Sequence, residues 1–211
     1  MAATKTLSAF KSRLSGGGAR PNLFEVSIAS FPSSIQEAWS ADENESFKFL
    51  CKSATLPASN VANVDVPFRG RILKVSGDRT FDPWTVTVIN DEDFRVRTAF
   101  ERWANVMSKL DDATGVSNPS SYMTDAEVVQ LGRGASLNST INEGGESVIL
   151  RTYKFYDIFP TAITEIAVSY DTGDTIETFD VTFQVQYFTI GASSGDTTLG
   201  QAGVSLSLIH I

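Results

Sequence analysis

The run Phe179-Asp180-Val181-Thr182-Phe183-Gln184-Val185-Gln186-Tyr187 alternates apolar and polar residues without a break. Side chains of an extended chain point to opposite faces in turn. Phe179, Val181, Phe183, Val185 and Tyr187 therefore share one face, while Asp180, Thr182, Gln184 and Gln186 share the other. That is a strand with one face on a core and one face wet. Trp84, Val86 and Val88 repeat the pattern against Thr85, Thr87 and Ile89, and Phe24, Val26 and Ile28 repeat it against Glu25 and Ser27. Phe47, Phe49 and Cys51 against Lys48 and Lys52 predict a further strand, and Arg71 to Ser76 is expected to pair with Trp84 to Asn90. From Ser147 to Phe159 both alternating sets are apolar, which predicts a strand covered on both sides.

Between these strands the period changes once. Val96, Phe100, Trp103, Met107 and Leu110 recur at spacings of three and four, and predict a helix over about 91–110. Asn90 or Asp91 is the expected N-cap, with Glu92 and Asp93 in a first turn whose dipole favours negative charge. Phe94 falls off the stripe, so it is expected under the preceding turn or exposed toward a partner. One helix among seven or more strands reads as a mainly β fold: an antiparallel β-sandwich or barrel with one flanking α-helix.

Residues 1–20 carry Lys5, Lys11, Arg13 and Arg20 around Gly16, Gly17 and Gly18, and read as a flexible basic arm with a helical stretch at Leu7, Phe10 and Leu14. The domain is expected over 21–190, with polar insertions at 30–46, 111–125 and 132–146, and a C-terminal extension over 191–211. Trp39 is expected to pack its own loop.

Composition removes most chemistry. The 211 residues carry 17 Lys and Arg against 25 Asp and Glu, a net charge of −8, which is opposite to what gripping phosphates requires. One cysteine, Cys51, and one histidine, His210, rule out an intramolecular disulfide and a cysteine-based zinc cluster. Cys51 stands at a core position of its predicted strand. The Asp91, Glu92 and Asp93 group is explained by its place at a helix start, the Gly-rich stretches lack the context that cradles phosphate, and no GxSxG elbow occurs. No run approaches the roughly 18 apolar residues of a membrane span, and the first residues lack a secretory signal core. No catalysis, metal, cofactor or membrane partner is expected.

The segment Gly77-Asp78-Arg79-Thr80-Phe81-Asp82-Pro83-Trp84 is richer than a hairpin connection needs. Either Arg79 pairs locally with Asp78 or Asp82, or it reaches a carboxylate on another subunit. Asp78, Arg79, Asp82 and Trp84, together with Phe94, are the candidate inter-subunit contacts.

Read together, Ala19 to Val26, Cys51-Lys52-Ser53-Ala54-Thr55-Leu56-Pro57 and Gly77 to Glu92 resemble the tail tube protein of contractile-tailed, myovirus-type bacteriophages. Phe159-Pro160-Thr161 and Ile176 to Phe183 continue the likeness, which spans about residues 19–188. The resemblance implies a barrel-like β-sandwich that closes into hexameric rings. It also implies that the rings stack into a tube inside a contractile sheath, with double-stranded DNA passing down the lumen without specific binding. Expected partners are further copies, the sheath protein, the baseplate tube-initiator, the tape measure protein and the tail terminator. The expected location is the virion tail, after assembly in the host cytoplasm. A baseplate paralogue or a secretion-system tube protein shares the architecture.

Overall fold

The computed structural model describes residues 6–14, 18–30, 39–132, 149–171 and 173–192. In chain order its elements are α1 (Leu7–Arg13), β1 (Phe24–Ser30), α2 (Ala41–Leu50), β2 (Cys51–Ala54), β3 (Asn60–Phe68), β4 (Arg71–Thr80), β5 (Trp84–Ile89), α3 (Arg95–Met107), β6 (Thr124–Leu131), β7 (Ile149–Ile163), β8 (Thr178–Gln184) and β9 (Tyr187–Ala192). Six strands follow the order β1-β6-β7-β8-β5-β2, β9 joins them on β7, and β3 pairs with β4 alone. By contact density the chain divides into two units, one of Val26–Val128 and Tyr153–Thr189, the other of Met1–Glu25, Val129–Thr152 and Ile190–Ile211. The expected glycine joint at 16–18 falls largely, and the 31–38, 133–148 and 193–211 stretches wholly, outside the described residues.

The larger unit holds an aromatic core. Phe179, Val181 and Phe183 of β8 are buried as their alternation requires, and so are Trp84, Val86 and Val88 of β5. The two strands run antiparallel with Trp84 opposite Phe183, Val86 opposite Val181 and Val88 opposite Phe179, so the apolar residues fall on one face. Trp84 stacks on Phe155 at 4.5 Å and Phe183 at 5.4 Å between ring centroids. Val96, Ala99, Phe100 and Trp103 of α3 are buried. Phe100 lies 5.8 Å from Phe183 and 5.0 Å from Trp39. Trp39 thus joins the core rather than packing only its own loop.

Several elements differ from expectation: the run Phe179 to Tyr187 is not one strand, since β8 ends at Gln184 and Tyr187 opens β9, 43% exposed. Phe47 and Phe49 lie on helix α2, because Ser40 and Glu43 form a reciprocal capping box: the Ser40 N–H donates to Glu43 Oε2 at 2.9 Å, and the Asp42 N–H to Ser40 Oγ at 3.2 Å. Phe47 is buried and Phe49 is 83% exposed, so two residues of apparent strand alternation are in fact on opposite sides of a helix. Arg71 to Ser76 pairs with β3, not with β5; the partners of β5 are β2 and β8.

Strand β7 is not covered on both sides. Its buried residues are Phe155, Ile158 and Pro160, and the change of parity falls at Asp157, whose φ of 51° lies in the left-handed region. Pro160, which has no N–H to donate, is tolerated in this interior strand next to an irregularity at Thr161. Finally, helix α3 starts at Arg95 with Phe94 as N-cap, leaving Asp91, Glu92 and Asp93 in the turn before it, and it ends at Met107, leaving Leu110 exposed.

In the smaller unit, the Ala9 N–H donates to Thr6 Oγ1 at 3.2 Å and starts α1. The Leu131 N–H donates to Leu23 O at 2.9 Å, and Gln130 Nε2 donates to the carbonyls of Arg20 and Leu23. These bonds fix the chain entering β1 beside the end of β6.

Candidate assembly interface

The ribbon β3–β4 carries the unusual surface. Its turn is Arg69-Gly70, with φ of 44° and 80°, closed by the Phe68–Arg71 pair. Two positive φ values in a two-residue loop match the twist of a hairpin, and Gly70 takes the second at no steric cost. From the turn the register runs Phe68–Arg71, Pro67–Ile72, Val66–Leu73, Asp65–Lys74, Val64–Val75 and Asn63–Ser76. Cross-strand partners share a face, so Val64, Val66, Phe68, Leu73 and Val75 form one apolar face with Arg71 at its tip. Asn63, Asp65, Lys74 and Ser76 lie on the opposite face, which is mostly polar but ends toward the turn in the exposed Pro67–Ile72 pair; on this face Lys74 Nζ lies 3.3 Å from Asp65.

At the base of the ribbon, Gly77 and Asp78 stand against Ala62 in an irregular register. A Cβ on Gly77 would lie 3.2 Å from both Ala62 O and Val64 Cγ2, so a side chain here would crowd the facing strand by a few tenths of an ångström, and glycine permits the close approach. Every residue of β3 and all of β4 except Gly77 are exposed, including Phe68 at 66% and Leu73 at 62%. A two-stranded ribbon is marginal alone in water. Covering its apolar face would contribute on the order of 5 kcal/mol before the costs of association.

The predicted contact residues separate into three places. Asp78 and Arg79 lie exposed near the end of β4, with Arg79 opposite Val61. Asp82, in the following connection, accepts a hydrogen bond from Asn60 Nδ2 and ties that connection to the start of β3. Arg79 makes no ion pair among the described residues, so neither local pairing proposed from sequence occurs. Trp84 is 2% exposed, with its indole N–H on Thr55 O at 2.9 Å; it is a core residue and is not on the subunit surface. Phe94, at the far end of β5, is 45% exposed and holds φ 52°, ψ 21°. The backbone of a bulky residue in this region is strained, and the Phe94 side chain that it carries is about half exposed.

Sequence reasoning missed β3 altogether. Its signal was present as Val64, Val66 and Phe68 alternating with Asp65 and Pro67, but Pro67 argues against a strand, and Arg69-Gly70 is a weaker turn signal than Asn-Gly.

On β5 and β8 the sheet's second face is mostly polar, with Ile89 also on it, and on β6 and β7 it carries the Asp125–Lys154 pair. Ser53 is in register with Thr87, and Thr85, Thr87, Asp180, Thr182 and Gln184 stand beside it on β5 and β8. Thr87 Oγ1 donates to Asp180 Oδ1 at 2.6 Å, and Thr85 and Thr182 hydroxyls lie 3.2 Å apart. None of these six residues is a cation.

A small recess of about 180 Å³, lined by Leu56, Pro57, Asp82, Trp84, Phe155 and Phe188 among others, is largely apolar. Burial pushes the Cys51 thiol up to about 12, so it stays protonated at neutral pH and is a poor nucleophile. Among the described residues no three His, Cys, Asp or Glu side chains gather to hold a metal ion.

Known proteins share this fold and sequence. The family described as phage tail tube protein matches residues 19–191. Tail tube protein gp19 of Enterobacteria phage T4 is 32% identical over 174 residues, which cover 82% of this chain and 93% of that protein. A chain of the anti-feeding prophage baseplate superposes with a TM-score of 0.56 at 9% identity, covering 84% of this chain and 98% of that one. A chain of an extracellular contractile injection system's sheath-tube complex, in its extended state, superposes with a TM-score of 0.50 at 15% identity, covering 90% and 99%. The structural likenesses establish a common fold, and the match over 19–191, which includes β3, β4 and every strand of the sheet but the last residue of β9, establishes descent: the chain belongs to the phage tail tube protein family.

Proposed function

We propose that this chain is a non-catalytic structural subunit of a bacteriophage tail: six copies close a ring, and rings stack into a tube inside a contractile sheath. The observation that carries this reading is the β3–β4 ribbon, whose apolar face is uncovered in the single chain and is suited to burial against another copy. Ring closure also hides the outer strands of the sheet, whose unpaired backbone groups otherwise invite uncontrolled pairing.

The patch of Ser53, Thr85, Thr87, Asp180, Thr182 and Gln184, polar and without a cation, suits a channel wall. Duplex DNA carries about one negative charge per 1.7 Å, and hydroxyls, amides and an occasional carboxylate let it pass where lysines would hold it. Family membership supports the sheath protein, baseplate tube-initiator, tape measure protein and tail terminator as partners, with assembly in the host cytoplasm. Within the tube, Arg79 reaches a carboxylate on a neighbouring subunit, and Phe94 packs against one.

Sedimentation of the purified protein across concentration, with electron microscopy of the heavy fraction, tests the proposal. Six-fold rings or hollow tubes of constant diameter are expected. Single rings that never elongate on added baseplates point to a baseplate paralogue, and a monomer under all these conditions overturns the reading.

A further inference from the structure

The ribbon's charge is opposite to the net charge of the rest of the protein, in which residues 1–20, with Lys5, Lys11, Arg13 and Arg20 and no acid, are the other basic stretch. Residues 60–80 hold four cations, Arg69, Arg71, Lys74 and Arg79, against two acids, Asp65 and Asp78, a net of +2. The remaining chain keeps 13 of the 17 Lys and Arg and 23 of the 25 Asp and Glu, a net of −10. Only Lys74 is neutralised within the ribbon, by Asp65. Arg69, Arg71 and Arg79 make no ion pair among the described residues, and Arg69 lies 5.4 Å from the Phe68 ring at the exposed tip.

We propose that the β3–β4 ribbon is an electrostatically steered docking arm: its free guanidinium groups draw it to the acidic body of a second copy, and its apolar face then holds it there. The occupant is a second copy because the complementary charge is carried by the same chain. A cationic arm meeting an anionic body is a head-to-tail contact, which propagates from copy to copy instead of closing as a two-fold dimer. The inference rests on the tube reading above and adds how the subunits find one another.

Steering and simple charge repulsion predict opposite effects of salt. If subunits met as uniformly acidic bodies, screening would weaken their repulsion and added salt would speed association. With charge segregated onto the arm, screening weakens the attraction instead and salt slows association. Charge affects the encounter rate, whereas the apolar face governs dissociation.

The test follows association of the full chain by light scattering between 0.05 and 0.5 M NaCl, given as approximate limits of the useful screening range. Wild type is expected to associate about tenfold more slowly at the higher salt. The double variant Arg69→Glu, Arg71→Glu brings the ribbon to a net of −2; it should associate slowly at low salt and faster as salt rises. Leu73→Ser should keep the wild-type salt response while its assemblies dissociate faster on dilution. Both variants change exposed positions, and unchanged melting of the unassembled subunit verifies that they fold.

Wild-type association that is indifferent to salt or accelerated by it overturns the steering proposal while leaving the tube reading intact. So does a double variant that behaves like wild type. Absence of association at every salt, even with baseplates added, overturns the tube reading itself, and the steering proposal with it.

Discussion

Trp84 and Arg79 lie within six residues of each other and do different work. Trp84 is held by Phe155, Phe183 and the Thr55 carbonyl, so Trp84→Ala leaves a cavity and a lost hydrogen bond in the core. A loss of about 3–5 kcal/mol in urea unfolding is expected. Arg79 is exposed and makes no ion pair among the described residues, so Arg79→Ala should leave the melting curve within about 0.5 kcal/mol of wild type. Its tube yield, measured by pelleting, should fall; an unchanged yield would reduce Arg79 to a residue of the ribbon base. Phe94 carries a third kind of constraint. Phe94→Gly removes the penalty of a left-handed bulky residue, worth about 1 kcal/mol, together with a half-buried ring worth about as much, so the subunit's Tm should stay within about 3 °C of wild type while tube yield falls. Sequence placed Phe94 off the helix stripe, which is correct, but the period of a helix says nothing about the φ of the residue before it.

At the scale of elements, helix α2 depends on a cap that titrates. The hydrogen bond from the Ser40 hydroxyl holds the Glu43 carboxyl below its ordinary value of 4.5, with burial opposing and the backbone N–H of Ser40 assisting. A carboxyl whose pKa is depressed in the fold stabilises it fully above the unfolded value, and that contribution is lost as pH falls through the folded value. Glu43→Gln should therefore flatten the part of the stability curve below about pH 4.5, read as melting temperature against pH. The same element shows why alternation misled. Phe47 and Phe49 fit period two over three apolar residues, yet the Ser40 and Glu43 spacing marks a helix start, and a short apolar run cannot settle the period by itself. The ribbon shows the converse case, where Pro67 suggested no strand and the exposed β3 tolerated it.

For the whole molecule, assembly and stability are linked. Since a partner binds only folded subunits, mass action should raise Tm with protein concentration, by about 5–10 °C once the concentration is a hundredfold above the dissociation constant. Differential scanning calorimetry at two concentrations checks this, and a concentration-independent Tm would mean that the apolar ribbon face stays uncovered at both.

What the sequence determined by itself is the set of half-wet strands. Period two in Phe179 to Val185 and Trp84 to Val88 states which residues are buried, and the burial seen in β5 and β8 follows it residue by residue. The aromatic stripe Val96, Phe100 and Trp103 likewise named its own buried face, and the acidic composition argued against a phosphate-gripping surface. Local periodicity suffices there because each residue's neighbours on the same face are fixed by backbone geometry. Only the tertiary structure decided which strands pair. Arg71 to Ser76 turns back on Asn60 to Phe68 instead of joining Trp84 to Ile89, because the tight Arg69-Gly70 turn sets β4 directly alongside β3. Strand partnership is a long-range choice made by turns and packing, and that choice places Val64, Val66, Phe68, Leu73 and Val75 on an exposed ribbon instead of in the core.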